Sequence, residues 1–311
     1  LKDIIIAHIF LNRKCNLNCS YCALVKDDNE LTLEQWKNIF LTLKPHVHTF
    51  NIAGLEPTLT EYLEDLIVFW KQNNINYVIC THGLVSDEKL KKYIDLGLKG
   101  IGVSIDSVHR RFIDRSSEIK SKRGIEVLNL LSEYDDISKF IGITVSKLNI
   151  HEVFDIITLA DKHEFISCVT PIQKEREGRI FAGGNEHCFT INDCRLLFRV
   201  KEKLISLYRN GTLLGECEEI YDMWIPQAWE QSWKCEPMSV IMVDNDGRLG
   251  CCYDYYGKNV GSINIVKDGF NLQKLHDYYE SDLKECGGCL WGCNVLSTLV
   301  KEGKIPIEVV K

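Results

Sequence analysis

The stretch IIIAHIFLNRKCNLNCSYC, residues 4–22, decides how the rest of the chain is read. Residues 4–11 are apolar except for His8 and follow no helical period, the pattern of a buried strand. Cys15, Cys19 and Cys22 come directly after it with the spacing C-x3-C-x2-C. Three thiolates in one loop can cap three irons of a cubane cluster and leave the fourth iron without a protein ligand. That open iron suits a small molecule carrying both an amine and a carboxylate. Zinc would ask for a fourth Cys or His nearby to close a tetrahedron, and His8 belongs to the strand.

Outward from this segment, strand and helix signals alternate. Thr32 and Gln35 form a capping box ahead of LEQWKNIFLTL, so a helix begins near residue 33. HTFNIAG, NYVICTHG, KGIGVSID, FIGITVS and FISCVTP read as strands. Helices are expected over LEDLIVFWKQN, from near Ser86, over residues 118–133 and over about 152–163. Six strand signals separated by five helical ones indicate parallel βα units, in a partial barrel or an open doubly wound sheet. Either arrangement gathers its site at the carboxyl ends of the strands, where the cysteine loop lies. Past residue 172 the pattern changes. QKEREGRIFAGGNEH is a polar, glycine-rich excursion, residues 193–209 look helical, and SVIMVDNDGRLGCCYD reads as a hairpin turning at Asp246-Gly247. A further helix near 271–281 leads into CGGCLWGC.

Composition limits the function classes. The chain has 311 residues, 45% hydrophobic and 26% charged, as in an ordinary globular protein. A net charge of -7 disfavours nonspecific nucleic-acid binding. No stretch reaches the roughly 20 apolar residues of a membrane span, so a soluble, cytoplasmic protein with no membrane partner is expected. Fourteen cysteines in such a chain point to metal rather than a disulfide scaffold, because they cluster. Cys80 and Cys168 sit in apolar strands and read as small buried hydrophobes.

The cysteine motif, with the aromatic Tyr21 before its last member, resembles that of the radical S-adenosylmethionine (SAM) enzymes. The resemblance implies a partial (β/α)6 barrel, a 4Fe–4S cluster with an open iron on Cys15, Cys19 and Cys22, and bound SAM. It implies reductive cleavage of SAM to a 5′-deoxyadenosyl radical that abstracts a substrate hydrogen, with an external one-electron donor such as a flavodoxin or ferredoxin. AGLEP is similar to the family's Gly-Gly-Glu-Pro segment: Gly54, Glu56 and Pro57 match, and Leu55 replaces the second glycine. Thr81, His82 and Gly83 resemble its Thr-Asn-Gly. Ser104, Asp106 and Ser146 stand at strand ends that approach the cofactor in the family, and Arg123 is a candidate for the methionine carboxylate.

Cys235, Gly247 and Cys252, spaced C-x11-G-x4-C, resemble the opening of the auxiliary-cluster extension of the SPASM and Twitch subgroups, with Cys286 and Cys289 closing the cage. That resemblance implies one auxiliary iron–sulfur cluster, 4Fe–4S by analogy with the subgroup, and a division into a barrel (1–190), a helical linker (191–234) and a Twitch-like module (235–311). A four-cysteine zinc knuckle is the other reading of those residues. Cys251 neighbours Cys252 on a strand, so the two side chains should face opposite ways. It is either a buried small residue or a thiol aimed into the cavity, with Cys293 and Cys217 as substitutes; a thiol donor is a feature of the superfamily's radical epimerases. The expected function is therefore radical epimerisation, of a peptide α-carbon in the first instance or of an aminoglycoside. The alternative is oxidation: dehydrogenation of a sugar or aminoglycoside alcohol, or a thioether or carbon crosslink in a peptide. An exposed sheet edge could hold an extended peptide by strand addition. Trp224, Trp229 and Trp233 lie between barrel and module, where they pack the junction or line a substrate pocket; the junction is the expected role.

Overall fold

The computed structural model describes residues 3–22, 24–109, 112–172, 187–224, 234–236, 238–252, 263–282, 291–307 and 310. Six parallel strands run in chain order across one sheet: β1 (Ile4–Phe10), β2 (Val47–Ala53), β3 (Tyr77–Thr81), β4 (Gly100–Ser104), β5 (Ser138–Val145) and β6 (Ile166–Pro171). Each pairs with its predecessor, so the sheet curls in one direction into an open half-barrel and never reverses as a doubly wound sheet does. Helices α1 (Leu33–Leu43), α2 (Leu63–Gln72), α3 (Asp87–Leu96), α4 (Arg115–Leu131) and α5 (Val153–Lys162) form the crossovers. The expected capping box at Thr32 and Gln35 opens α1, and Ser86 caps α3. Helix α4 starts three residues before the sequence reading placed it, because Asp114 caps it.

Two faces of the sheet differ in kind. On β5, Lys139, Ile141, Ile143 and Val145 are buried, while Phe140, Gly142 and Thr144 are half-exposed. β6 repeats this alternation, with Cys168 and Thr170 half-exposed, and β3 does so with Cys80. The buried set joins Trp70, Leu90, Val127, Leu128 and Ile156 from the helices in one apolar core. A parallel sheet is usually covered on both faces. Here the concave face stays partly open, with Cys80, Gly142, Thr144, Cys168 and Thr170 among the residues it carries.

The C-terminal part returns to the same sheet. β7 (Val240–Val243) lies parallel to β1 on the side away from β2, and β8 (Leu249–Gly250) pairs antiparallel with β7. The expected hairpin is present, and its turn residue Gly247 has φ +84°. Helices α6 (Cys194–Arg209), α7 (Glu218–Asp222), α8 (Ile265–Asp268), α9 (Leu272–Asp282) and α10 (Gly292–Lys301) complete the described elements. α10 touches β1, β6 and β7 and so reaches across the open side of the half-barrel. Val295, Leu296 and Leu299 of α10 pack with Ile5, Ile6 and Val240 in a second apolar cluster. Both ends of the sheet are occupied. Ser167 N–H donates to the Leu213 carbonyl (2.8 Å) and Gly215 N–H to the Ser167 carbonyl (2.9 Å), covering β6, while Leu249 N–H donates to the Ile263 carbonyl (2.9 Å) beside β8. Strand addition at a free edge is thus unsupported. Among the described residues no helix is long and apolar enough to cross a membrane.

Candidate active site

The loop leaving β1 carries the three early cysteines, with Cys15 and Cys19 half-buried and Cys22 exposed. Cys22 N–H donates to the Cys19 carbonyl at 3.0 Å, so these two share one turn. α4 holds the loop from one side. Asp114 caps the helix by accepting from Ser117 N–H (2.7 Å), and its other oxygen accepts from Ser20 N–H (2.5 Å). Burial alone would raise the Asp114 pKa, but those N–H donors outweigh it and hold the carboxyl below its ordinary value. From the other side Arg13 makes a bidentate pair with Asp244 of the hairpin, Nε to Oδ1 at 2.9 Å and Nη2 to Oδ2 at 2.7 Å. Both residues are buried. Asn245 next door donates to Asp27 Oδ1 (2.7 Å) and to the Asn29 carbonyl (2.6 Å).

Glu56 organises the ends of β2 and β3. It is fully buried, and Oε1 accepts from Thr58 N–H (3.0 Å), Thr58 Oγ1 (2.6 Å) and Thr81 Oγ1 (2.7 Å), while Oε2 accepts from His82 N–H (3.0 Å). Its own N–H donates to the Lys14 carbonyl, tying the segment to the cysteine loop. Gly54 has φ +104°, where a side chain is strained, and a Cβ there would stand 3.0 Å from the Phe10 ring. Leu55 is not among the positive-φ residues, so replacing the family's second glycine leaves this turn intact. Its side chain packs with Phe10, Leu24, Met242 and Trp291. Gly83, at φ +81°, donates its N–H to Thr81 Oγ1 at 3.0 Å. The His82 ring is neutral: burial lowers its pKa although Glu56 opposes this, and Nδ1 accepts from Leu84 N–H. Its Nε2 lies 3.0 Å from Glu56 Oε2, but at an angle that makes no hydrogen bond.

Beyond β4, Tyr21 donates its hydroxyl hydrogen to Asp106 Oδ2 (2.9 Å), and the Lys120 ammonium lies 2.8 Å from the same oxygen and also contacts the Tyr21 hydroxyl. Asp106 is fully buried, with Oδ1 lacking any hydrogen-bond partner. Burial pushes the Cys19 thiol up to about 11, and of the charges acting on that sulfur Lys120 pulls hardest the other way. Sequence reasoning missed Lys120. The signal was its register: Ser117, Lys120, Ser121, Gly124 and Val127 share the buried face of α4, where a lysine is out of place unless paired. Asn149 was missed too; its amide donates to the Asp106 and Thr144 carbonyls (2.9 and 2.8 Å) and locks two strand ends together.

Other expected residues are spent locally. Ser146 Oγ donates to Asn149 Oδ1 (3.0 Å) and accepts from Leu148 N–H (3.1 Å) in a fully buried turn. Arg123 straps the loop after β3 onto α4, donating to the Gly83 and Val85 carbonyls at 3.1 and 2.8 Å and pairing with Asp87 and Glu126. Ser104 ends β4, half-exposed.

In the C-terminal region Cys251 is 6% exposed and belongs to the main apolar core, with half-buried Cys252 packed against it. The Cys235 carbonyl accepts from the Tyr279 hydroxyl (3.1 Å). Cys286, Cys289, Trp229 and Trp233 lie outside the described residues. Trp224 is buried against Tyr221, and Cys217 lies in the second apolar cluster. Cys293 opens α10, and its sulfur is 3.3 Å from His8 Nε2. Burial drives the His8 pKa down to about 3, so the ring is neutral; Asn51 Nδ2 donates to its Nδ1 (3.1 Å), leaving Nε2–H to point at Cys293.

No three His, Cys, Asp or Glu side chains among the described residues converge on a point where one metal ion would sit. A cubane places each cysteine on a different iron, so its motif does not require such convergence. The donor set fits a cluster: three thiolates on one braced loop, beside two buried polar atoms, Asp106 Oδ1 and His82 Nε2, that lack hydrogen-bond partners.

A half-barrel of six parallel strands with a three-cysteine loop after the first defines an enzyme class built around a site-differentiated cluster. The chain belongs to the radical SAM superfamily, whose family model matches residues 9–160. Fe-coproporphyrin III synthase of Methanosarcina barkeri is 28% identical over 161 residues, 50% of this chain and only 40% of that relative's length. SuiB of Streptococcus suis, in a structure with S-adenosylmethionine, superposes with a TM-score of 0.65 at 14% identity, over 88% of this chain and 67% of SuiB. The protein anSMEcpe with bound AdoMet also gives 0.65, at 18% identity, over 93% of this chain and 87% of its own. Those matches establish the fold, extending into the cysteine-rich C-terminal region.

Proposed function

We propose that the chain is an oxidative radical SAM enzyme that modifies a peptide. Cys15, Cys19 and Cys22 would hold the 4Fe–4S cluster, and Cys235, Cys252, Cys286 and Cys289 an auxiliary one. Bound there, the first cluster and SAM supply hydrogen-atom abstraction, and the second supplies a one-electron acceptor. Around SAM, Glu56 shapes the loop that meets the methionine end, and Asp106 Oδ1 and His82 Nε2 offer one acceptor and one donor. The half-exposed concave face, with Asn51, Cys80, Thr144 and Thr170, supplies uncharged polar contacts for the substrate.

The observation that carries this reading is the likeness, across barrel and C-terminal region, to two proteins whose structures hold peptides: SuiB with its precursor peptide SuiA, and anSMEcpe with the Cp18Cys peptide. Oxidation is favoured over the epimerisation expected from Cys251 by that residue's place in the apolar core. A hydrogen-donating thiol must reach the substrate radical, and Cys251 is buried as a member of the main apolar cluster, which also holds Leu249, Ile263 and Ile265. In an oxidation the substrate loses one hydrogen atom, then one proton and one electron, for which an auxiliary cluster held by Cys235, Cys252, Cys286 and Cys289 would be the acceptor. Reconstituted enzyme given SAM and a synthetic peptide library should yield products 2 Da lighter, and Cys251→Ala should turn over at the parent rate. Products of unchanged mass in H2O that gain one deuterium in D2O, formed by the parent but not by Cys251→Ala, would restore epimerisation.

A further inference from the structure

Reduction adds one negative charge to a cluster, so any fixed charge nearby biases its potential. The cysteine loop touches α4 at one such charge. Lys120 is 5% exposed, Asp106 is fully buried, and the ammonium lies 4.9 Å from the centre of the Tyr21 ring, between Cys19 and Cys22 in sequence. Desolvating an ammonium is costly without a partner, and here the partners are immobile: Asp106 is held through its N–H by Ser121 Oγ (3.0 Å) and through its carbonyl by Asn149 (2.9 Å). The charge therefore keeps one position relative to the loop, and burial protects it from salt screening.

We propose that Lys120 is a positioning residue for the cluster: its ammonium, fixed between Asp106 and the Tyr21 hydroxyl beside Cys19, favours the cluster's reduced state. Asp106 works against it, so the pair sets the potential by the difference of two opposed charges. This rests on the cluster being held by Cys15, Cys19 and Cys22.

The test is a redox titration of the anaerobically reconstituted full chain, poised with dithionite and mediators and read by electron paramagnetic resonance. Lys120→Met keeps the side-chain volume and removes the charge; the reduced-to-oxidised ratio at fixed potential should fall about tenfold, a shift of ~59 mV for one electron. Lys120→Arg keeps the charge and should titrate close to the parent. Asp106→Asn removes the opposing charge and should move the potential upward. A Lys120→Met protein that holds its iron and titrates like the parent overturns the proposal, as do shifts of the same sign in both variants. Should Lys120→Met fail to hold iron, Asp106→Asn decides alone, and an unmoved or lowered potential overturns it. Parent protein that binds no iron would instead overturn the cluster assignment itself.

Discussion

Cys19→Ala should strip the N-terminal cluster, with the spectroscopic signal of that cluster and 5′-deoxyadenosine formation both falling to background. Two thiolates cannot hold a cubane that already has one iron without a protein ligand. The loop itself should survive, because its backbone contacts to Asp114 and Ser116 and the Arg13–Asp244 side-chain pair do not use the Cys19 side chain. Stability by thermal denaturation of the metal-free proteins should therefore change little. Cys80→Ala and Cys168→Ala are the controls. Both thiols sit on strands with pKa values raised by burial, the first to about 12, and Cys80 donates to Asn51 Oδ1 at 3.0 Å. These variants should keep full iron and full SAM cleavage. A Cys19→Ala protein that still cleaves SAM, or a Cys80→Ala protein that loses its iron, would remove the basis for assigning the early motif.

The barrel was legible because its signals are local. Each strand is a short apolar run, the helix starts after Thr32 and Ser86 carry capping residues, and the chain order of the six barrel strands equals their spatial order. The cysteine motif is local in the same way, with its three thiols inside eight residues. What escaped the sequence were partnerships across long separations. Nothing near Arg13 announces Asp244, 231 residues later, and nothing near Tyr21 announces Lys120, 99 residues later. Neither residue breaks the composition around it; only burial makes the charge informative. Arg123 and Ser146 illustrate the converse. Position at a strand end or on a barrel helix made them candidates, and backbone carbonyls or a neighbouring amide engage them instead.

Asp244→Ala should destabilise the protein by about 3–5 kcal/mol, because it removes the buried carboxylate that the Arg13 guanidinium pairs with. The pair is bidentate and desolvated, Arg248 lies 3.3 Å from the same carboxylate, and Asn245 N–H donates to it at 2.9 Å. Asp27, 3.8 Å from Arg13 and partly exposed, is too distant and too wet to substitute. The loss should also reach function, since Arg13 stands two residues before Cys15 and the clamp is what fixes the cysteine loop to the hairpin preceding Cys251 and Cys252. Iron retention at the N-terminal site should fall along with the melting temperature. Replacing the pair together, Arg13→Met with Asp244→Leu, should recover much of the stability, as apolar side chains of similar volume replace a buried ion pair at little net cost. The same double variant should not recover iron fully, because it restores packing without restoring the two directed hydrogen bonds that set the loop's position. Chemical denaturation of the metal-free proteins and iron analysis of the reconstituted ones separate the two effects; an Asp244→Ala protein within about 1 kcal/mol of the parent would put the pair in the class of exposed, weak ion pairs and end its claim to hold the loop.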